Sequence, residues 1–145
     1  MIIHTASEGV TLAKKLEGDS AGFYEELARL YTKDAEVFQS LARENKKNSV
    51  QIDRVYYGVI TDAIEGGYAF NLEADAYALN TKIKQGAGYA DVLSQAVKLE
   101  ETIIKFYTEA AAQSQSLMAD VPRAFSLIAR KRAERKQKLE SLRGE

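Results

Sequence analysis

The sequence predicts an all-α fold, a four-helix bundle in which a long crossover joins two antiparallel helical hairpins. Three observations support this prediction. Four long segments place apolar residues at helical spacing, the breaks within each pair of segments are short while residues 66–88 separate the pairs, and the second pair repeats part of the first. We expect one domain over residues 1–145, a length that can bury a core.

The first hairpin is predicted from its capping signals. Thr5 and Glu8 have the spacing of a capping box, in which each side chain bonds a free amide at the start of a helix. Asp34 follows a short polar break and is a candidate N-cap for the second helix. The predicted helices span about 5–31 and 35–65, and the second ends at Gly66-Gly67.

The second hairpin is predicted to begin after Gly86-Ala-Gly88, with a helix over about 89–117. Asp120 is the predicted N-cap of the last helix, which runs to about residue 142. Pro122 falls in its first turn, where a missing N–H costs nothing.

The crossover between the hairpins is predicted to contain a short helix. Phe70, Ala74 and Tyr77 are spaced three or four residues apart, as on one face of a helix.

The two hairpins resemble each other in sequence. Four residues of the first helix recur 83 positions later with the same spacing: Leu16, Glu17, Phe23 and Tyr24 recur as Leu99, Glu100, Phe106 and Tyr107. Four residues of the second helix recur 87 positions later: Phe38, Leu41, Ala42 and Arg43 recur as Phe125, Ile128, Ala129 and Arg130. Such a repeat predicts a bundle with a pseudo-twofold axis.

Composition excludes several classes of protein. The chain has no cysteine, which removes disulfides, thiolate metal sites and a cysteine nucleophile. Its 20 Lys+Arg and 21 Asp+Glu nearly balance, so the overall charge does not point to nucleic acid. No apolar stretch approaches the length of a membrane span, and residues 1–5 lack the features of a signal peptide. We therefore expect a cytoplasmic protein that binds neither nucleic acid nor membrane.

The core-facing stripe of every predicted helix turns polar at mid-height. Burial of polar groups costs free energy unless they are paired, so a shared polar layer needs a physical reason. The residues of this predicted layer are Glu17, Ser20, Asn45, Asn48, Glu100, Arg132 and Arg135.

These motifs resemble those of the rubrerythrin-like branch of the ferritin-like superfamily over nearly the whole chain. In that family two helices each give a glutamate and the other two each give Glu-x-x-His, all facing two irons. The resemblance places Glu17 and Glu100 at the single-glutamate positions. The Glu-x-x-His positions fall on Asn45 and Asn48 in the second helix and on Arg132 and Arg135 in the fourth.

Only two of the six usual ligands therefore remain, and the only histidine, His4, precedes the bundle. A guanidinium has no lone pair to offer a metal and carries a permanent positive charge. We expect no metal and no cofactor; if any metal binds, Glu17 and Glu100 are its ligands. The resemblance also implies that Tyr24 and Tyr107 match tyrosines near di-iron sites, although both are typical amphipathic core residues.

The replacements predict an ion-pair network in which two buried acids face two buried arginines. Asn45, Asn48 and Ser20 would satisfy the remaining donors and acceptors. Other interpretations remain open: the arginines could extend outward with only their stems buried, the asparagines could be boundary residues, and the glutamates could lie on the surface.

Three functions are compatible with these residues. The leading hypothesis is a metal-free binding or structural module whose partner is an unknown protein, a small anion near the arginines or a second copy of the chain. The resemblance implies a homo-oligomer such as a dimer. The alternative is a divergent di-iron or mononuclear oxidoreductase that acts on peroxide or dioxygen. Iron would then need Asp19, Glu44 or Glu101 to turn inward. The third is a structural helical protein related to the family by topology alone.

Overall fold

Four α-helices account for most of the residues that the structure describes. The structure, a computed structural model, describes residues 1–60, 68–114 and 120–144. The helices are α1 (Ala6–Leu30), α2 (Ala35–Ile60), α3 (Tyr89–Gln113) and α4 (Asp120–Gly144). The predicted helical class is therefore confirmed, while the predicted ends of the second and third helices, at residues 65 and 117, lie outside the described residues. None of the described helices combines the length and the apolar character needed to cross a membrane.

The boundaries of α1 follow from local hydrogen bonds. Thr5 Oγ1 accepts from the Glu8 amide at 3.1 Å, and Glu8 Oε1 accepts from the Thr5 amide at 3.0 Å, so the predicted capping box is present. A 3₁₀ turn at Thr32–Asp34 connects α1 to α2. The Asp34 carboxylate accepts the hydroxyl of Tyr89, which ties this turn to the start of α3.

Contacts between side chains show how the helices run relative to one another. Within the first hairpin, Glu17 pairs with Asn48 and Ser20 with Asn45, so α1 and α2 are antiparallel. Between the hairpins, Tyr24 pairs with Glu100 and Tyr107 with Glu17, so α1 and α3 are also antiparallel. Helices α2 and α3 therefore run in the same direction. The chain between them must return along the length of the bundle before α3 can begin.

The described part of the crossover starts with a β-strand, which corrects the prediction of a short helix over Phe70, Ala74 and Tyr77. Strand β1 (Ile2–Thr5) pairs antiparallel with strand β2 (Tyr68–Glu73), with Ile3 opposite Leu72. Only Ala74–Tyr77 forms a 3₁₀ turn. Short apolar runs fit helix and strand periodicity alike, and here the backbone of residues 2–5 supplies the hydrogen-bond partners of a strand.

The remainder of the crossover lies along α3 and the end of α1. The ring of Tyr77 packs on that of Phe106 with centroids 5.3 Å apart. The Gln95 amide donates to the carbonyls of Asn80 and Lys82, both at 2.9 Å. Tyr31 Oη donates to the Ala87 carbonyl at 3.0 Å. This face of the bundle is therefore covered by the chain itself.

Candidate functional site

The polar layer lies inside the bundle. Every one of its seven side chains is buried, with exposed fractions between 0% and 4%: Glu17, Ser20, Asn45, Asn48, Glu100, Arg132 and Arg135. The apolar and aromatic residues above and below fix the helix phase that turns these positions inward, because one helical stripe carries both sets. The readings that leave the arginines, asparagines or glutamates on the surface are wrong.

Arg132 is the centre of the layer and is fully buried. Its Nε and Nη2 donate to the two carboxylate oxygens of Glu17 at 3.2 and 2.8 Å, the bidentate arrangement that a planar guanidinium favours. Its Nη1 donates to Glu100 Oε1 at 2.7 Å. One guanidinium thus lies between the two carboxylates and links the first hairpin to the second.

Each of two tyrosines donates a hydrogen bond to the buried glutamate of the other hairpin. Tyr24 Oη of α1 donates to Glu100 Oε2 of α3 at 2.5 Å. Tyr107 Oη of α3 donates to Glu17 Oε2 of α1 at 2.6 Å. Since both pairs are related by the same sequence offset, the internal repeat is expressed as a structural symmetry between α1 and α3.

Helix α2 contributes neutral groups to the layer. Asn48 Nδ2 donates to Glu17 Oε1 at 3.2 Å, and Asn45 Nδ2 donates to the Ser20 hydroxyl at 2.9 Å. Asn45 Oδ1 accepts from Arg132 Nη2 at 2.9 Å. The amide of Asn45 therefore joins a donor on α4 to an acceptor on α1.

Arg135 lies at the edge of the layer and is less completely paired. Its Nη1 donates to Asn45 Oδ1 and, at 3.2 Å, to Glu44 Oε1 at the rim of the bundle. Its Nη2 lies 3.1 Å from Glu100 Oε2 without hydrogen-bond alignment, and Nε meets no acceptor among the described residues. The guanidinium carbon lies 5.2 Å from the centroid of the Tyr24 ring, within range of a cation–π contact.

The charges of the layer stabilise one another. Burial alone would raise the pKa of Glu100, but Arg132, Arg135 and the Tyr24 hydroxyl hold it below its ordinary value. Burial opposes the charged form of Arg132 as well, and Glu100 and Glu17 nevertheless raise its pKa. Burial, reinforced by the adjacent carboxylate, raises the pKa of both Tyr24 and Tyr107. Glu100 is therefore expected to be ionised and both tyrosines neutral near pH 7.

No family model, curated protein or solved structure matches this chain. The site must be interpreted from its own geometry.

The donor groups that iron prefers are not gathered here. Within the described ranges, no group of three or more histidine, aspartate or glutamate side chains could hold a metal ion. The three acids that an iron site would recruit are each paired with a cation: Asp19 with Lys15, Glu101 with Lys136, and Glu44 with Arg135. Asp19 and Glu101 keep 42% and 51% of their side-chain surface exposed, so neither is turned inward.

The sequence predicts Glu44 only as an iron ligand of the alternative function, whereas in the structure it accepts a hydrogen bond from Arg135 at the rim. Its position directly before Asn45 was the available signal, since a glutamate at the border of a buried stripe can reach a cation at the edge of that stripe.

Proposed function

We propose that this chain is a metal-free binding or structural module of the ferritin-like, rubrerythrin-like type, in which an ion-pair network replaces the di-iron centre. One observation carries the proposal. The guanidinium of Arg132, with no exposed surface, lies between Glu17 and Glu100 and bonds both, at 2.8 and 2.7 Å. A permanent cation in that position repels metal ions and uses the carboxylate lone pairs that they would need.

The topology supports the ferritin-like part of the proposal. Two antiparallel hairpins with α2 and α3 running in the same direction require a crossover along the bundle, which is the connectivity of ferritin-like folds. The polar positions of α2 and α4 are also three residues apart, as in Glu-x-x-His: Asn45 and Asn48, and Arg132 and Arg135. The spacing of a metal site is thus present with other chemistry in it.

Metal analysis of the purified protein tests the absence of metal. After expression in iron-supplemented cells we expect well under one iron per chain. Anaerobic addition of Fe²⁺ should leave both the absorption spectrum and the thermal midpoint unchanged. About two irons per chain, the content of a di-iron carboxylate bundle, would overturn the proposal.

Restoration of the missing ligands tests the relation to a metal site. The quadruple variant Asn45→Glu, Asn48→His, Arg132→Glu and Arg135→His recreates both Glu-x-x-His pairs. We expect this variant to bind Co²⁺ with visible d–d absorption and to gain thermal stability when Co²⁺ is present.

The matched control restores α2 alone, with Asn45→Glu and Asn48→His, and retains both arginines. It should not bind Co²⁺, because the guanidinium groups remain beside the carboxylates. A quadruple variant that folds cooperatively and yet leaves Co²⁺ unbound would show that the layer only resembles a metal site by its spacing.

A further inference from the structure

The bundle has a covered face and an open face. The crossover packs along α1 and α3, whereas no described segment lies over the opposite face, between α2 and α4. Two adjoining cavities of about 400 and 240 Å³ follow this face. Within the part of the chain that the structure describes, their lining comes from α2 and α4 alone, and the two cavities share Lys47, Asn48 and Lys131. Together they form one surface groove, called the α2–α4 groove below.

The α2–α4 groove carries a strong local excess of positive charge. Four exposed cations line it, and none has a carboxylate within salt-bridge distance among the described residues: Arg43, Lys47, Arg54 and Lys131. Among the described residues, the only acid in the lining is Glu44, which is engaged by Arg135. Several cations elsewhere on the surface pair with acids, as Lys46 does with Glu25. The groove thus gathers four unpaired cations around one engaged acid, in a chain whose charges nearly balance.

Exposed apolar side chains lie among these cations. Val50 and Leu127 are 52% and 39% exposed, and both line the groove. Val50 belongs to α2 and Leu127 to α4, and buried Ile128 lines the same cavity, so the larger cavity combines apolar and cationic side chains.

The length of the groove suits a helix. Arg43, Lys47 and Arg54 follow one stripe of α2, and 11 residues of helix between the first and last of them span roughly 16 Å, or about three helical turns. An amphipathic helix that lies in such a groove presents apolar anchors three or four residues apart and flanking residues of opposite charge.

Other occupants fit less well. A second copy placed symmetrically on this face would set the same four cations against each other. Single-stranded nucleic acid prefers cations accompanied by stacking aromatic rings, and none of the described residues that line either cavity is aromatic. Exposed aliphatic residues instead favour a polypeptide partner.

We propose that the α2–α4 groove binds an acidic amphipathic helix of a partner protein, with carboxylates facing the four cations and aliphatic side chains covering Val50 and Leu127. This inference rests on the proposed role as a binding module and is independent of whether the core holds metal. Two residues of the groove are held in place by the buried layer. Asn48 donates a hydrogen bond to Glu17, and Glu44 accepts one from Arg135.

The test uses the full chain and a fluorescein-labelled helical peptide of 16 residues. The probe carries a leucine stripe flanked by glutamates, with alanine elsewhere. We expect saturable binding by fluorescence anisotropy, and binding should weaken by about tenfold in Lys47→Glu/Lys131→Glu, where two attractive charges become repulsive. The matched control, Lys84→Glu/Lys98→Glu, reverses two lysines of the crossover side and should change affinity by less than twofold.

Two probe controls separate charge from apolar contact. The peptide with lysine in place of glutamate should not bind. The glutamate peptide with alanine in place of leucine should bind several-fold more weakly, and so should the original probe with Leu127→Ser.

Several outcomes would overturn the inference. These are absence of saturable binding, equal loss of affinity in both charge-reversed proteins, or a single-stranded oligonucleotide that binds as tightly as the glutamate–leucine peptide. The iron content of the same preparations reports on the proposed function separately, so failure of one does not imply failure of the other.

Discussion

The two hairpins contribute unequally to the buried layer although their sequences repeat. Each contributes one glutamate and one tyrosine, and the tyrosine of each bonds the glutamate of the other. The repeated positions of α2 and α4 differ: α2 has the amides of Asn45 and Asn48, whereas α4 has the guanidinium groups of Arg132 and Arg135. The acids are thus shared evenly between the hairpins, while both cations come from α4.

This difference shows that the charges of the layer balance over the whole bundle and not within each hairpin. In the first hairpin Glu17 has only neutral donors from α2, so its counter-charge comes from Arg132 in the other hairpin. Two buried carboxylates need two buried cations to avoid an uncompensated charge. The network therefore ties the two hairpins together.

Loss of Arg132 should have the largest effect. Arg132→Met leaves Glu17 and Glu100 buried with Arg135 as their one cation, and we expect the free energy of unfolding to fall by about 3–5 kcal/mol. Arg132→Lys keeps the charge but cannot fork to both acids, so its loss should be intermediate. Urea unfolding at pH 7 measures both. A loss below about 1 kcal/mol in Arg132→Met would show that the network contributes little.

The equivalent positions Asn48 and Arg135 compare the two hairpins directly. Arg135→Leu removes a charge that faces Glu100, and we expect a loss of about 2–3 kcal/mol. Asn48→Leu removes a single hydrogen bond to Glu17, and we expect a loss of about 1–2 kcal/mol. The two variants are measured by urea unfolding under identical conditions. Equal or reversed losses would contradict the view that charge, which only α4 supplies, dominates the layer.

The helices and the layer were accessible from the sequence for a physical reason. Caps such as Thr5 and apolar spacing act locally, and a polar residue such as Asn45 stands out when its whole stripe is otherwise apolar. The partners of Arg132 could be limited to the buried acids because few groups can satisfy a buried guanidinium. By contrast, the strand at Phe70 depends on residues 2–5, which are distant in sequence, and the rim contact of Glu44 depends on side-chain reach.

Low pH should weaken the ion pairs of Glu100, the acid that the second hairpin contributes to the network. The folded pKa of Glu100 is held below its ordinary value of 4.5, so the unfolded chain binds more protons as the pH falls past that value. Stability from this group is therefore complete above pH 4.5 and is lost as the pH falls through the folded pKa.

We expect the urea midpoint to fall as the pH drops below about 4.5, and to fall less steeply in Glu100→Gln, which cannot titrate. Other acids with lowered pKa values, such as Glu73, titrate in both proteins and serve as the shared background. Identical pH profiles of the two proteins would show that Glu100 does not contribute to the loss of stability in acid.

The smallest expected effect concerns the exposed surface of α1. Gly18 and Gly22 lie in the helix interior where the repeated positions of α3 have Glu101 and Lys105, and an added Cβ at either glycine meets no atom within 4 Å. Alanine at each should raise the free energy of unfolding by about 0.5–1 kcal/mol, since glycine loses more backbone freedom on folding. Gly9→Ala is the control and should be destabilising, because its Cβ would collide with the ring of Phe70. A different result is a thermal midpoint that Gly18→Ala or Gly22→Ala lowers only at high protein concentration. That result would show that a second chain packs against this surface of α1.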